Sequence, residues 1–211
     1  MKKIGRFHLL TDTNLQVRYS HVELTAMALA GGADTIQFRC KSGSTKEMIA
    51  SAVQMKKLCK EAGVPLIIND RVDIALAAEA DGVHLGQDDF PIPLARNILG
   101  PDAIIGGSAG DMDEALKCLS DGVDYIGAGP VYATGSKSDA GPATGIENIR
   151  IIVEKISLPV IAIGGIKALD VNNLLDAGAY GVAVISAVCL DNDPETAARR
   201  FRTVLDNYGQ K

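Results

Sequence analysis

Three carboxylates mark the most chemically suggestive stretch of the sequence, residues 67–89, which reads IINDRVDIALAAEADGVHLGQDD. Asp70 follows one apolar run that predicts a strand, and Asp88 and Asp89 follow a second. If the two strands are parallel neighbours, these carboxylates meet at one mouth of a barrel or sheet. Carboxylates in that position commonly hold Mg²⁺ against a phosphorylated substrate. The alternative interpretation is that all three are turn residues and helix N-caps, as Asp often is.

The elements that must position these side chains recur along the whole chain. Eight apolar, β-branched runs are each followed by a helical pattern. The predicted strands are Arg6–Thr11, Thr35–Arg39, Pro65–Asn69, Gly82–Leu85, Ala103–Gly107, Tyr125–Gly129, Pro159–Ile163 and Gly181–Ile185. The predicted helices are Ser20–Ala30, Thr45–Ala62, Val72–Ala80, Pro91–Leu99, Met112–Ser120, Ile146–Ile156, Ala168–Asp176 and Pro194–Tyr208. The predicted N-caps are Ser20, Thr45, Asp111 and Asp193.

A weak internal repeat supports the count of β/α units. The predicted helix-to-strand connections share one sequence pattern, in which a helix ends in small residues and an apolar strand begins. They lie at 30–37, 78–85, 120–127 and 176–183. No hairpin signal lies between the strands, so the units are parallel β/α units. Eight units in 211 residues predict an α/β fold, a single (β/α)8 TIM barrel that forms one catalytic domain over residues 1–211. A doubly wound sheet is the alternative, but residues 6–13 lack its G-x-G-x-x-G motif.

The composition of the chain limits the classes of partner that the protein is expected to bind. Hydrophobic residues make up 47% of the chain but aromatic residues only 4%, which is typical of buried parallel strands. The net charge of -5 argues against nucleic acid or an anionic membrane as the main partner. Four scattered cysteines without a C-x-x-C pair indicate a reducing compartment, and no apolar stretch predicts a signal peptide or membrane span. We therefore expect a cytoplasmic protein with small-molecule partners, and a homo-oligomer is compatible with the sequence.

Two anion-binding regions are predicted at the carboxyl ends of the strands. Gly164, Gly165, Ile185 and Ser186 follow the seventh and eighth strands, where backbone N–H groups commonly cradle a phosphate. The alternative for the glycine pair is a plain turn. A second region combines the acidic pair of the opening stretch with three cations that suit a diphosphate, namely Arg39, Lys41 and Lys137.

A long polar loop, Gly129–Gly145, follows the sixth strand and carries Thr134, Ser136 and Lys137. It exceeds the usual length of a βα connection, which favours a lid or binding loop. The alternative for Lys137 is a solvated surface lysine. His84, inside the fourth strand, fits a packed core histidine as well as a ligand.

Six motifs together resemble the thiamine phosphate synthase family. They are QFRCK (37–41), INDRVDIALAAEADGVHLGQDD (68–89), GGSAGDMDEA (106–115), DYIGAGPVYATGSK (124–137), IAIGGI (161–166) and GVAVISAV (181–188). The resemblance implies a TIM-barrel transferase that joins 4-amino-2-methyl-5-hydroxymethylpyrimidine diphosphate to 4-methyl-5-(2-phosphoethyl)thiazole, releasing diphosphate. It also implies Mg²⁺ as the cofactor and a pyrimidine-methyl cation that the thiazole nitrogen captures. Such chemistry needs charge stabilisation and alignment more than acid–base groups.

The resemblance assigns roles by position. Asp70 and Asp89 match the metal ligands. The residues that match pyrimidine diphosphate contacts are Gln37, Arg39, Lys41, Asn69, Ser108 and Lys137. The residues that match the thiazole phosphate site are Thr134, Ser136, Gly165, Ile185 and Ser186. Among these, Lys137, Arg39 and Ser108 are the expected catalytic residues.

The sequence departs from the family pattern at three positions. Cys40 replaces the usual acidic residue, Ser136 replaces a Thr, and Gly110 replaces a His. The last change bears on the related thiazole tautomerase, which relies on a histidine in that region. A tautomerase-like isomerase, another phosphate-binding barrel such as ribulose-phosphate epimerase, and a non-catalytic barrel that binds a thiamine precursor are the rival hypotheses.

Overall fold

The computed structural model of the protein describes residues 4–137 and 141–209. Eight parallel strands close into a barrel in chain order, with β8 paired to β1. The strands are β1 Phe7–Thr11, β2 Thr35–Phe38, β3 Leu66–Asn69, β4 Gly82–Leu85, β5 Ile104–Ala109, β6 Tyr125–Ala128, β7 Val160–Ile163 and β8 Gly181–Val184. The predicted TIM barrel and all eight of its strands are confirmed.

Helices surround the barrel and cover the outer face of each strand. They are α1 His21–Ala30, α2 Thr45–Ala62, α3 Val72–Ala77, α4 Ile92–Leu99, α5 Met112–Asp121, α6 Gly145–Lys155, α7 Val171–Asp176, α8 Ser186–Cys189 and α9 Pro194–Asn207, with a 3₁₀ turn at Ala168–Asp170. No helix within the described ranges is both long enough and apolar enough to span a membrane.

Three details differ from the sequence-based expectation. The predicted helix Ala168–Asp176 begins as the 3₁₀ turn, and α8 was not predicted. Thr45 is not an N-cap. Ser44 is, because its hydroxyl accepts the Glu47 N–H while the Glu47 carboxylate accepts the Ser44 N–H. This reciprocal pair satisfies two of the free donors at the start of α2.

Strand β5 also extends further than predicted, which changes the setting of Ser108. The strand runs to Ala109, so Ser108 lies inside it and not in the loop that follows. Because side chains alternate along a strand, Ser108 and Gly106 face the barrel interior, while Ile105 faces the helices.

The two faces of the barrel wall have different chemistry. Side chains that face the helices are apolar and fully buried, such as Ile36, Val83 and Ile126. This outer layer is the hydrophobic core, and it explains the apolar runs in the sequence. The inward-facing side chains include several polar residues, namely His8, Gln37, His84, Ser108 and Tyr125. Most TIM barrels fill this space with branched apolar residues, so the polar interior points to a specific role.

An aspartate precedes three of the even-numbered strands and ties the amino-terminal end of the barrel together. Each carboxylate accepts a backbone N–H from the preceding odd-numbered strand and forms an ion pair with a helix residue. The sets are Asp34 with Phe7 and Arg202, Asp81 with Leu66 and Lys56, and Asp124 with Ile105 and Arg96. These residues lie at the end of the barrel that usually serves stability, opposite the carboxyl ends of the strands.

Candidate active site

A cavity of about 620 Å³ opens at the carboxyl ends of the strands. This volume suits a small-molecule ligand. Eleven of the predicted site residues line it: Lys41, Asn69, Asp70, Asp89, Ser108, Thr134, Ser136, Lys137, Gly165, Ile185 and Ser186. The structure therefore brings together, in one cavity, residues from seven of the eight strand ends, those of β2 to β8. Gln37 and Arg39 are the two predicted residues that lie elsewhere.

The acidic pair of the opening stretch meets at the cavity wall. Asp70 follows β3 in a left-handed backbone conformation, with φ of 65°, and its N–H donates to the His84 carbonyl at 2.8 Å. Burial raises the pKa of Asp70, the Lys41 ammonium lowers it, and the Asp89 carboxylate beside it raises it. Lys41 Nζ lies 2.6 Å from Asp70 Oδ2. Two carboxylates that oppose each other's ionisation form a site that a cation stabilises.

The donor set of this pair fits Mg²⁺. No group of three or more His, Cys, Asp or Glu side chains suited to a metal occurs in the described part of the chain. Mg²⁺ is usually bound by one or two carboxylates, with the remaining positions taken by water and substrate phosphate oxygens. Asp70 and Asp89 supply that minimum, and both line the cavity where a substrate would complete the shell. Asp88 lies between Gly86 and Asp89 in the turn that the Asp89 N–H closes on the Gly86 carbonyl.

The loop after β6 crosses the cavity from the other side. Its stem is fixed by backbone hydrogen bonds from Val131 N–H to the Ile163 carbonyl and from Tyr132 N–H to the Gly164 carbonyl, at 2.9 and 3.0 Å. Thr134 Oγ1 accepts the Ser136 N–H at 3.2 Å. Residues 138–140 of the predicted binding loop lie outside the described residues, whereas Thr134, Ser136 and Lys137 line the cavity.

The glycine pair after β7 has a structural reason to lack side chains. Gly164 and Gly165 both adopt positive φ, at 102° and 65°. A Cβ on Gly164 would lie 2.5 Å from the Pro130 side chain, and one on Gly165 would lie 2.7 Å from the Ala133 carbonyl oxygen. The glycines thus allow the loop after β6 to pack directly on the end of β7. The same packing leaves the Gly165 backbone exposed to the cavity, as the phosphate interpretation requires.

A smaller internal space continues below the cavity floor, and Gln37 lies there. Ser108 and Lys137 line both spaces, while Gln37, His84 and Tyr125 line only the inner one. The Gln37 side chain contacts the Tyr125 hydroxyl. Its Oε1 is buried and accepts no hydrogen bond from the described residues. A buried acceptor without a donor is costly, so this oxygen is a candidate contact for an N–H group of a ligand.

Arg39 does not reach the cavity wall. Its guanidinium is buried at 6% exposure and pairs through Nη1 with Asp12, which is 2% exposed. Asp12 also accepts the Asn14 N–H at 2.8 Å, so the pair anchors the loop after β1. The predicted role of Arg39 as a direct diphosphate contact therefore stays a prediction. Asp12 was missed, although it follows β1 at the strand-end position that singled out the other site residues.

The sequence-based reasoning also missed the groups that hold Ser108 and Gly110. Gln87 Nε2 donates to the Ser108 carbonyl at 2.7 Å. The Gly110 N–H donates to Glu114 Oε2 at 2.6 Å. Gln87 and Glu114 both line the cavity. Gln87 follows a predicted strand, so its position could have identified it. Glu114 lies on α5, and no sequence pattern marks it as a site residue.

All three histidines of the chain are buried. Burial is the largest cause of each shift and lowers the pKa of His8 and His21 to about 4 and that of His84 to about 3. The Lys137 ammonium further lowers the pKa of His84. Each imidazole is therefore uncharged at neutral pH, and none is poised for proton transfer near pH 7.

The fold and the cavity define a class: a TIM barrel whose strand ends carry a carboxylate pair, two lysines and a glycine-lined wall. The family model described as thiamine monophosphate synthase matches residues 7–188. The chain belongs to this family. It is 50% identical over 205 residues to the thiamine-phosphate synthase of Salinibacter ruber, with 97% of this chain and 90% of that protein covered.

Two further comparisons agree. The thiamine-phosphate synthase of Chloroflexus aurantiacus is 44% identical over 98% of this chain and 95% of its own length. The solved structure of thiamine phosphate pyrophosphorylase from Pyrococcus furiosus superposes with a TM-score of 0.88 at 40% identity, covering 96% of each chain. A 3-hexulose-6-phosphate synthase, 17% identical and with a TM-score of 0.70 over 95% of this chain and 99% of its own, shares the fold.

Proposed function

We propose that this protein is a thiamine-phosphate synthase, a transferase that joins hydroxymethylpyrimidine diphosphate to thiazole phosphate and releases diphosphate. The observation that carries the proposal is the meeting of the Asp70–Asp89 pair and Lys137 in one cavity. This is the arrangement that a diphosphate leaving group needs, because it combines a place for a divalent cation with a fixed positive charge. The names of its relatives support the same reaction.

The main requirement of this reaction is electrostatic stabilisation of the leaving diphosphate. The bond between the pyrimidine methylene carbon and the diphosphate oxygen breaks with both electrons going to the diphosphate, and the thiazole nitrogen forms the new bond to that carbon. Mg²⁺, when bound, neutralises part of the charge that develops on the leaving diphosphate. Asp70 and Asp89 would hold it, while Lys41 and Lys137 add positive charge on either side.

The opposite wall suits the thiazole phosphate. Gly165, Ile185 and Ser186 line the cavity where β7 and β8 end, with Ser136 of the long loop beside them. Hydroxyl groups and free backbone N–H groups bind a phosphate without adding net charge. The two anions would therefore occupy opposite walls, which leaves the two reacting rings between them.

The uncharged histidines argue against an isomerase. None of the described residues that line the main cavity is a histidine, and His84 at its floor has a pKa lowered to about 3. Gly110, where the related tautomerase pattern has a histidine, brings no side chain to the cavity. An acid–base mechanism that uses imidazole has no group in place, whereas charge stabilisation does.

Gln37 offers a contact for the aminopyrimidine. Its buried Oε1 accepts no hydrogen bond from the described residues, and the exocyclic amino group of the pyrimidine is a donor. We place the pyrimidine ring toward the cavity floor for that reason. Since the three cysteines other than Cys40 are buried and all four are free, we also propose a reducing, cytoplasmic location, with the barrel as the single catalytic domain.

The test is direct product formation. The purified protein is incubated with both phosphorylated substrates and Mg²⁺, and thiamine phosphate is measured by its fluorescence after oxidation. We expect product only when both substrates and Mg²⁺ are present. Absence of product with authentic substrates would refute the proposed reaction.

Two variants test the assigned charges, each with a matched surface control. Asp70→Asn and Lys137→Met should each lower turnover by at least about 100-fold, as when a main electrostatic contributor is removed. The controls are Asp73→Asn, which breaks only an exposed pair with Arg71, and Lys117→Met on α5. A thiamine-precursor-binding barrel without activity would show no difference among the four variants.

A further inference from the structure

The buried interior of the barrel holds a chain of polar side chains that leads to Ser108. His84 Nδ1 lies 3.0 Å from the Tyr125 hydroxyl, and His84 Nε2 lies 2.9 Å from Ser108 Oγ. His84 and Tyr125 are 7% and 1% exposed. Of these three side chains, Ser108 alone lines both the inner space and the main cavity.

Two glycines make room for this chain. A Cβ on Gly106 of β5 would collide with the Tyr125 ring and lie 2.5 Å from His84 Nδ1, and a Cβ on Gly127 of β6 would lie 2.9 Å from His84 Cε1. The His8 ring packs edge-on against Tyr125, with ring centroids 5.3 Å apart. Interior positions of a TIM barrel normally carry bulky apolar residues. Here two positions of the wall, on β5 and β6, are glycines, and the space that they leave is filled by a histidine and a tyrosine.

An uncharged imidazole has one N–H donor and one acceptor, so the chain has two proton orders. In one, Tyr125 donates to Nδ1, and the Nε2 N–H donates to Ser108 Oγ. In the other, every donor is reversed and the Ser108 hydroxyl donates inward to His84. Only the first order leaves the Ser108 hydroxyl hydrogen directed to the cavity.

The surroundings of Tyr125 select between the two orders. The Tyr125 hydroxyl forms a hydrogen bond with His84 Nδ1, and Gln37 Oε1, beside the same inner space, accepts no hydrogen bond from the described residues. In the second order the Tyr125 hydrogen would have no acceptor among the described residues, which is costly for a buried hydroxyl. In the first order the same hydrogen is donated to His84 Nδ1.

We propose that Tyr125 and His84 form a proton-ordered chain that fixes Ser108 as a hydrogen-bond donor to an acceptor atom of the pyrimidine diphosphate. His84 and Tyr125 are positioning residues, since Ser108 is the group that faces the substrate. The role of Ser108 toward substrate rests on the proposed function, while the proton order of the chain does not. A hydroxyl held in one orientation needs no reorganisation when the substrate binds.

The first test reads the proton order directly. Long-range ¹H–¹⁵N correlation spectra of the uniformly ¹⁵N-labelled full chain identify the tautomer of His84, without substrate. We expect the hydrogen on Nε2 and a bare Nδ1. A His84 ring that carries its hydrogen on Nδ1 would overturn the proposal. Because this measurement needs no activity, it decides the proton order even if no thiamine phosphate forms.

The second test replaces His84 with either of two amide side chains that differ in length. His84→Gln places an N–H near the Nε2 position and should retain kcat/KM within about threefold. His84→Asn reaches only the Nδ1 position and should lose at least about tenfold, the effect of one hydrogen bond. Equal losses in the two variants, or a larger loss for His84→Gln, would count against a donor to Ser108.

A double-mutant cycle separates positioning from general stability. Tyr125→Phe removes one hydroxyl and keeps the ring, and should lower kcat/KM about tenfold in the wild-type background. In the Ser108→Ala background the same change should alter kcat/KM less than twofold, because the hydroxyl that it orders is gone. Independent, multiplicative losses would show that Tyr125 acts through the fold and would overturn the positioning role.

Discussion

Acid should destabilise this protein well above the pH at which its carboxylates titrate, because its three histidines are buried in the uncharged form. Each histidine has a pKa lowered from 6.5, to about 4 for His8 and His21 and to about 3 for His84. Between pH 6.5 and 4 the unfolded chain therefore binds more protons than the folded chain. The free energy of unfolding must fall as the pH falls through this window.

The magnitude follows from the shifts. At pH 5 an unfolded histidine gains about 2 kcal/mol from protonation that the folded one does not, so three histidines remove roughly 6 kcal/mol relative to pH 8. The steepest slope is about 4 kcal/mol per pH unit. Asp70, whose pKa is raised, acts in the opposite direction but is a single group. Since a domain has about 5–15 kcal/mol of stability in total, we expect unfolding near pH 4–5.

Denaturant titrations at pH 8, 7, 6 and 5, followed by circular dichroism without Mg²⁺ or substrates, measure this loss. Histidine ring proton shifts in NMR spectra measure the pKa values of the folded state. His8→Gln is the matched variant, since Gln also offers a donor to the Gly5 carbonyl that His8 Nε2 contacts at 3.0 Å. It should remove about one third of the pH dependence. A free energy of unfolding that changes by less than about 1 kcal/mol from pH 8 to 5, or a ring that titrates near 6.5, would refute the reasoning.

Three substitutions probe other parts of the structure. Asp12→Asn leaves the buried Arg39 charge unpaired and should lower the free energy of unfolding by about 3–5 kcal/mol, measured by denaturant titration at pH 8. Asp81→Ala removes an ion pair and the acceptor for the Leu66 N–H and should cost about 2–3 kcal/mol, with turnover changed less than twofold because the site lies at the other end of the barrel. Asp70→Asn keeps a residue that tolerates the left-handed backbone and relieves carboxylate repulsion, so the melting temperature should stay or rise while product formation is lost.

Asp81→Ala and Asp12→Asn each have a control. Glu147→Ala breaks an exposed 3.4 Å ion pair on α6 and should change stability by less than about 0.5 kcal/mol, unlike Asp81→Ala. Adding Arg39→Met to Asp12→Asn should recover stability, because no buried charge is then left unpaired. An Asp12→Asn protein as stable as wild type, or an Asp70→Asn protein that melts several degrees lower, would contradict the respective electrostatic account.

Much of the fold could be predicted from the sequence because each β/α unit is local. Runs such as Leu66–Ile68 are apolar on both faces, and a glycine or aspartate between helix and strand marks several of the joins. Eight repetitions allow few architectures. Apart from the missed short helix α8, the errors were at element ends: Ser44 and not Thr45 is the N-cap, and β5 continues through Ser108 to Ala109. The residue at which a helix or strand begins or ends depends on which local hydrogen bonds form, and the periodicity of the sequence does not show this.

The candidate site was predictable to the extent that it follows from strand ends. Parallel strands end on one side of a barrel, so Asp70, Asp89 and Lys137 had to be close once the barrel was known. The placement of Arg39 could not be foreseen in this way. Its partner Asp12 follows the neighbouring strand β1, and Arg39 pairs with it and does not line the cavity.

The sequence by itself determined the barrel, the end of the barrel that carries the chemistry and the acidic and basic residues available there. Those are consequences of periodicity and chain order. Only the tertiary structure decided which polar groups face inward and what each one touches. Gln37, Tyr125 and His84 come from three separate strands, and their contacts depend on barrel closure and on the space left by Gly106 and Gly127. A hydrogen bond between such side chains is fixed to tenths of an ångström by packing, and no local pattern in the chain encodes it.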